Sequence, residues 1–263
     1  MRLIDSEQLE IASPAWAHTD ETVAYYEDII NTFTLGQRFV TKNFKLTSNV
    51  AISLNSKGNS MSMAYLYGRM GFDYVVIQQE NEKIQENLRE KNTLEILWSP
   101  QLVKNPDRRE REKMTQRRIL YGSIWDHASQ YPLSSICAYP CRKYSQEKLD
   151  KLVGELLLEA EIRVIRYLSK QLLFLISDEF LVLRELQYDV LNLLMEKINE
   201  SALKYLIVAK HSTFTQYVED MYQIGDVVKF PEKTTDTLPV LDEAGDYLSG
   251  IYSTGYSYKF LVR

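Results

Sequence analysis

Cysteine and histidine are scarce in this sequence. Only two cysteines, Cys137 and Cys141, and three histidines, His18, His127 and His211, occur among its 263 residues. Two thiols cannot build a disulfide framework, which is typical of a reducing compartment. The opening residues have no basic stretch followed by an apolar one, so we expect no secretory signal. The sequence therefore predicts a cytoplasmic protein.

An excess of positive charge and a long apolar run are also missing. Lysine and arginine total 31 against 36 aspartates and glutamates, a net charge of −5. Such a balance gives no overall attraction to nucleic acid or to an anionic membrane. No apolar run approaches the roughly 20 residues of a membrane span. Because 45% of the residues are hydrophobic and 25% are charged, the composition is that of an ordinary globular protein.

Strand-like and helix-like patterns alternate along the chain. The predicted strands are Leu9–Ala12, "NVAISL", "YVVIQ", "TLEILW", "ILYGSIW", "QLLFLIS" and "KYLIVA". The predicted helices cover 20–43 with an interruption near Gly36, 61–70, 80–91, 147–167, 185–199 and 213–222. Near-continuous apolar strands separated by helices indicate a mostly parallel sheet flanked by helices, an α/β fold. We predict one domain over 1–263 with a loop-rich tail at 226–263, and ligand positions at the carboxyl ends of the strands.

Several stretches at these strand ends follow a known pattern. "LEIASPAWAHTDET" is similar to L-E-[IF]-V-x-G-G-W-x-M-x-D-E-A, and "VAISLNSKGNSMSMAYLYGRMGF" to W-A-I-D-P-F-G-H-S-x-x-M-x-Y-[IL]-x-x-x-[SM]-G-F. "TLEILW", "QLLFLISDEF" with "LQYDVLN", and "LPVLDEAGDYLSGIYSTGYSYK" continue it in the same order. The chain thus resembles the catalytic domain of the class II α-mannosidases, glycoside hydrolase family 38. The resemblance implies a reduced version of that family's seven-stranded α/β domain.

The resemblance also implies a chemistry whose key positions differ in this chain. Family members use the aspartate of W-A-I-D as nucleophile and zinc ligand, and a second aspartate, in G-D-F-F, as acid/base. The nucleophile position falls here on Ser53 or Asn55, and the arginine of I-Q-R is Gln79. A substrate-binding aspartate is replaced by Pro132, and Asp242 fits a later aspartate better than the acid/base. A retaining mechanism needs two carboxylates, so we predict no catalytic residue, no metal and no cofactor.

Relative to the family, we expect the chain to lack the first strand with its zinc ligands and the later domains. Such losses would leave an exposed sheet edge near Leu9–Ala12, which proteins usually cover. The leading hypothesis is a catalytically inactive mannosidase-like protein kept as a scaffold in a larger cytosolic assembly, with protein partners on that edge. Two alternatives are a reduced zinc-dependent α-mannosidase completed by a partner chain and a carbohydrate-binding lectin.

A basic segment at 104–118 suggests a second contact. It carries three acidic residues and seven basic ones, Lys104, Arg108, Arg109, Arg111, Lys113, Arg117 and Arg118. A solvated loop is one interpretation; the functional one is docking to RNA or to an acidic protein surface. In its most specific form this hypothesis predicts ribosome association.

Three smaller clusters have a structural and a functional interpretation. The histidines with Asp126 or Cys137 would make a new metal site, and Cys137 with Cys141 would bind metal given outside ligands. Asp178 and Glu179 lie at a predicted strand end, and their functional interpretation is general acid/base catalysis. The structural interpretation is preferred for all three, and we expect neither a membrane nor a small-molecule substrate.

Overall fold

The computed structural model describes residues 2–6, 8–17, 21, 24–53, 60–78, 82–92, 94–99, 119–124, 145–174, 185–225 and 229–236. The chain divides into two compact units. One consists of Met1–Ile124 with Thr213–Arg263, and the other of Trp125–Ser212. The prediction of a single domain stays a prediction.

Within the described residues, the first unit contains a five-stranded sheet. Its strands are β1 (Val50–Ser53), β2 (Tyr74–Gln78), β3 (Glu95–Trp98), β4 (Ile119–Ile124) and β5 (Glu232–Lys233), in the spatial order β1-β2-β4-β3-β5. The pairs β1–β2, β2–β4 and β3–β5 are parallel, and β3–β4 is antiparallel. The mostly parallel α/β fold is confirmed. The direction of β3 could not be predicted, because an apolar strand buried on both faces has the same pattern in either direction.

The helices in the described part of the chain complete the two units. They are α1 (Arg2–Asp5), α2 (Tyr26–Phe44), α3 (Met61–Arg69), α4 (Glu82–Glu90), α5 (Gln146–Val164), α6 (Glu185–Glu200), α7 (Ala202–Tyr205) and α8 (Phe214–Gly225). The sequence-based helices at 61–70, 80–91, 147–167, 185–199 and 213–222 are confirmed to within a few residues, as are four of the strands.

Aromatic side chains fix α2 and α3 on the sheet of the first unit. The rings of Phe33, Tyr67 and Phe72 meet edge to face at centroid distances of 5.4–5.9 Å. They join a buried cluster with residues of the strands, including the fully buried Trp98. The end of α3 is set by Gly71, whose φ of +93° suits glycine. This packing holds α2 and α3 against the strands of the first unit.

The predicted strand at Leu9–Ala12 is wrong. These residues form no strand, and Leu9 is 49% exposed. Contact with the outer edge of β1 comes one residue later, where Ser13 donates its backbone N–H to Val50 O at 2.9 Å. Ser13 has a φ of +50° and Pro14 has no N–H to donate. The chain therefore turns away after a single ladder-like bond.

The predicted interruption of α2 near Gly36 is also wrong. The helix runs unbroken through Gly36, which is buried. A Cβ atom at Gly36 would lie 2.1 Å from the backbone oxygen of Pro14 and 2.9 Å from the carbonyl carbon of Ala15. Glycine at this position allows the 13–17 segment to lie directly on the helix. There the backbone N–H of Trp16 donates to Thr32 O at 2.9 Å.

The second unit is built on α5 and α6. Their facing sides share a leucine-rich buried cluster that includes Leu152, Leu156 and Leu194. The predicted strand "KYLIVA" is wrong: α7 occupies its start, and 206–210 pairs with no strand of the described sheet. Its alternation arises because Ile207 and Ala209 pack against the helical cluster. For "QLLFLIS", 171–174 is not a strand, and the remainder lies outside the described residues.

Candidate functional site

The carboxyl end of β1 is where the sequence predicts a degenerate nucleophile. Ser53 is the last residue of β1 and pairs with Ile77 of β2. Its hydroxyl is hydrogen-bonded to the phenol of Tyr67 from α3. Burial raises the pKa of Tyr67 well above its usual value, the Glu21 carboxylate adds to the rise, and the bond from Ser53 offsets part of it. Ser53 is thus joined to a buried phenol that stays protonated.

Within the described residues, the partner shown for the Ser53 hydroxyl is a phenol. Nucleophilic serines need a neighbouring group that accepts the hydroxyl proton, usually a histidine. A phenol with a raised pKa is neutral at physiological pH and cannot serve as that group. The bond between Ser53 and Tyr67 therefore links β1 to α3 and does not itself activate the serine.

Carboxylates do lie nearby, but they cap the N-terminus of α3. Glu21 accepts hydrogen bonds from the backbone N–H of Ser60 at 2.7 Å and from its hydroxyl. Asp236 Oδ1 accepts from the N–H of Met61 at 2.5 Å, while the hydroxyl of Ser60 accepts from the N–H of Met63 at 3.1 Å. The first turn of a helix carries unpaired N–H groups and partial positive charge. By accepting hydrogen bonds from Ser60 and Met61, the carboxylates of Glu21 and Asp236 pair these N–H groups and bring negative charge to the N-terminus of α3.

Glu10, from the same stretch "LEIASPAWAHTDET" as Glu21, also caps the N-terminus of a helix. Glu10 accepts from the backbone N–H groups of Phe214 at 2.7 Å and Thr215 at 3.0 Å, at the start of α8. Glu10 and Glu21 were missed as structural residues by sequence reasoning. The available signal was that both match the glutamates of L-E-[IF]-V-x-G-G-W-x-M-x-D-E-A while neighbouring positions differ. The stretch thus holds two helix N-termini.

Comparison with known proteins decides the family. The model described as "Glycosyl hydrolases family 38 N-terminal domain" matches residues 1–239. This chain belongs to glycosyl hydrolase family 38. It is 22% identical over 287 residues to "Alpha-mannosidase 2" of Drosophila melanogaster, covering 99% of this chain and 25% of that protein. It is 23% identical over 263 residues to "Lysosomal alpha-mannosidase" of Dictyostelium discoideum, with the same shares.

A solved structure agrees on the fold. The crystal structure of an alpha-mannosidase from Enterococcus faecalis V583 superposes with a TM-score of 0.61 at 13% identity, over 90% of this chain and 23% of that one. This family 38 domain spans about a quarter of the length of the relatives it matches.

Most of the predicted site residues of this family 38 domain lie outside the described residues. Ser53 is placed as above, and His211 lies in the second unit, exposed, with Nε2 2.8 Å from Asn192 Oδ1. The residues outside are Asn55, Gln79, Pro132, Asp242, the basic segment 104–118, His18, Asp126, His127, Cys137, Cys141, Asp178 and Glu179. Their roles stay predictions.

The described residues of the family 38 domain do not fit the zinc ion that its family implies. No group of three or more histidine, cysteine, aspartate or glutamate side chains within the described ranges could hold a metal. Ser53, one of the two candidates for the nucleophile position, offers a hydroxyl rather than the sulfur, nitrogen or carboxylate oxygen that zinc takes in proteins. No helix in the described part of the chain is long and apolar enough to cross a membrane.

Proposed function

We propose that this family 38 domain does not hydrolyse mannosides and acts by contact with other macromolecules, as a scaffold in a cytosolic assembly. One observation carries the first half of the proposal. The residue that ends β1 is Ser53, and its hydroxyl is bonded to the buried phenol of Tyr67. A retaining glycosidase needs a carboxylate at its nucleophile position, and neither candidate for that position in this chain, Ser53 or Asn55, carries one.

The test of inactivity is a hydrolysis assay with an aryl α-mannoside. The purified full chain is loaded with zinc and compared with its Ser53→Ala variant and with a family α-mannosidase as positive control. We expect the wild-type chain and Ser53→Ala to release aryl alcohol only at the uncatalysed rate. Zinc-dependent release by the wild-type chain that a chelator abolishes would overturn the proposal.

The similarity to proteins named alpha-mannosidases favours one alternative function. In that alternative, the chain is a reduced zinc-dependent α-mannosidase whose missing ligands come from a partner chain. It predicts stoichiometric zinc in the native complex, which elemental analysis measures directly. A zinc content at background level in the complex, with no mannoside hydrolysis, excludes it.

The contact half of the proposal concerns the basic segment 104–118. Seven basic residues against three acidic ones give a local charge of +4 in a chain of −5. Such a cluster suits RNA phosphates, as on a ribosome. Reversing Arg108, Arg109 and Arg111 to glutamate is expected to abolish co-sedimentation with ribosomes at low salt. Reversing Lys148, Lys151 and Lys170 in the second unit is the matched control; equal retention of both variants counts against the RNA contact.

A protein partner is also proposed near Leu9–Ala12. Leu9 is 49% exposed, and this segment precedes the single bond from Ser13 to the outer edge of β1. Edges of this kind invite pairing. Cross-linking followed by mass spectrometry in the source cell identifies what covers the segment. Cross-links confined to distant surfaces would contradict this placement of the partner.

A further inference from the structure

The outer face of α2 carries an unusual stripe. On the inner face Ile29, Phe33, Gly36 and Val40 are buried. On the opposite face the exposed residues are Asp28, Asn31, Leu35, Arg38, Phe39 and Lys42. Leu35 is 55% exposed and Phe39 47%. Because 3.6 residues make one turn, residues seven apart share a face, and Asp28, Leu35 and Lys42 form one straight row with Leu35 at its centre.

Charge is divided between the two halves of this stripe. Asp28 lies near the start of α2, whereas Arg38 and Lys42 lie near its end. No ion pair joins any of the three to another residue in the described part of the chain. The helix dipole explains the order of the signs. It does not explain why apolar side chains lie between them at the surface.

We propose that this stripe binds the same stripe of a second copy of this chain, with the two α2 helices antiparallel about a two-fold axis at Leu35. In that register Leu35 packs on Leu35 of the second copy. Asp28 faces Lys42, twice by symmetry, and Asn31 faces Phe39. The rows seven residues apart interlock as in an antiparallel helix pair. An interface of this kind is isologous, so one surface serves both partners.

Trp16 enlarges the apolar part of the interface at both ends. Its side chain is 63% exposed, and its ring meets the edge of Phe39 at a centroid distance of 5.6 Å. Hydrogen bonds from the backbone N–H groups of Trp16 and Ala17 to Thr32, at 2.9 and 3.0 Å, hold the segment on α2. Trp16 is therefore fixed before association, which lowers the entropic cost of burying it.

The charge order selects a second copy over other occupants. An acidic peptide would be attracted by Arg38 and Lys42 but repelled by Asp28 at the other end of the stripe. A basic peptide would meet the reverse problem. The antiparallel copy presents each sign opposite its complement without any further residue.

Sedimentation equilibrium of the full chain at low ionic strength tests the proposal. We expect the wild-type chain to be in reversible monomer–dimer equilibrium. Asp28→Lys and Lys42→Asp should each weaken dimerisation at least about tenfold, because each places like charges opposite one another. The double variant Asp28→Lys/Lys42→Asp restores both pairs and should return to within about threefold of wild type. Lys151→Glu on the exposed surface of α5 is the control and should leave the equilibrium unchanged.

A mixing experiment separates the interface from any folding defect. Neither Asp28→Lys nor Lys42→Asp dimerises well alone, but an equimolar mixture forms heterodimers with both charge pairs matched. Circular dichroism of each variant confirms that these exposed substitutions leave the fold intact. A chain that stays monomeric at all concentrations overturns the proposal. So does a dimer that the single reversals leave unchanged or that the double variant fails to recover.

Discussion

Glu10 accepts a hydrogen bond at 2.7 Å from the backbone N–H of Phe214, a residue 204 positions later in the chain. The same carboxylate accepts from Thr215 N at 3.0 Å and from the Thr215 hydroxyl. The first unit is discontinuous in sequence, and this contact attaches its N-terminal stretch to α8. Glu10 thus contributes to closing the unit as well as to capping the helix.

Removing this cap should destabilise the first unit. Glu10→Ala leaves the N–H groups at the start of α8 without their carboxylate, so we expect the free energy of unfolding to fall by about 1–2 kcal/mol. Urea denaturation followed by circular dichroism measures the change. Glu219→Ala, an exposed position on α8, is the matched control and should change stability by less than about 0.5 kcal/mol. Equal effects of the two substitutions would argue against the capping role.

Gly36 should tolerate no side chain. In Gly36→Ala the new Cβ would overlap the Pro14 backbone oxygen, which cannot move without displacing the 13–17 segment. We expect a loss of about 2–3 kcal/mol in unfolding free energy, together with greater solvent quenching of Trp16 fluorescence as that segment leaves α2.

Gly154 provides the opposite expectation. It lies within α5, and a Cβ there meets nothing within 4 Å. Gly154→Ala should therefore raise the unfolding free energy by about 0.5–1 kcal/mol through helix propensity alone. If both glycine substitutions changed stability in the same direction, the close approach at Gly36 would be contradicted.

The spacing of apolar residues predicted most helices and strands, because the side of an element that is buried determines where its apolar residues lie. "YVVIQ" and the helix at 61–70 were predicted since each buries a face or an entire strand. "KYLIVA" has a strand-like alternation for another reason: Ile207 and Ala209 pack on helices, and the side-chain amide of Asn199 pairs with the backbone of Ala209 at 2.8 and 2.9 Å. The same alternation of apolar residues arises whether a segment pairs with a strand or packs on helices, so the local pattern does not distinguish the two.

For the candidate site, the sequence predicted which residues occupy it but not which residues surround them. The pattern matched to W-A-I-D assigned Ser53 or Asn55 as the nucleophile position, and β1 indeed ends at Ser53. The partners of that position were not predictable. Tyr67 reaches Ser53 because α3 folds back over β1, and Asp236 reaches α3 from 175 residues away. Contacts at such sequence separations leave no trace in local periodicity.

The buried arginine of α5 makes a further prediction in the second unit. Arg163 is 4% exposed, and its guanidinium contacts Glu159 at 2.5–2.6 Å and lies over the ring of Phe174. Glu159→Ala removes one carboxylate from a buried cation, so we expect the unfolding free energy to fall by about 2 kcal/mol. Thermal or urea denaturation provides the measurement.

An exposed pair on the same helix is the control for Arg163. Lys151 and Glu155 are 3.8 Å apart and largely solvent-exposed. Glu155→Ala should change stability by less than about 0.5 kcal/mol, because exposed pairs contribute little. A cost at Glu155 as large as that at Glu159 would show that burial of Arg163 is not the cause.

Alkaline pH should destabilise the first unit through its buried tyrosines. Burial raises the pKa of Tyr67 and of Tyr217, and raises the pKa of Tyr222 to about 12. In the unfolded chain these phenols ionise near pH 10. Their contribution to stability is therefore fully present below about pH 10 and is lost as the pH rises toward the folded-state pKa values.

The slope of unfolding free energy against pH between 10 and 11.5 measures this effect, and Tyr67→Phe assigns part of it. At pH 11 each phenol that is neutral in the folded chain but ionised in the unfolded chain lowers the unfolding free energy by roughly 1 kcal/mol. Tyr67→Phe removes one such phenol, so the slope should fall by the amount that corresponds to one proton released on unfolding. Ser53→Ala is the control, because it removes the hydrogen bond to Tyr67 but keeps the ionisable phenol, and its slope should equal that of the wild type. A Tyr67→Phe variant with the wild-type slope would mean that Tyr67 is not the buried phenol that limits alkaline stability.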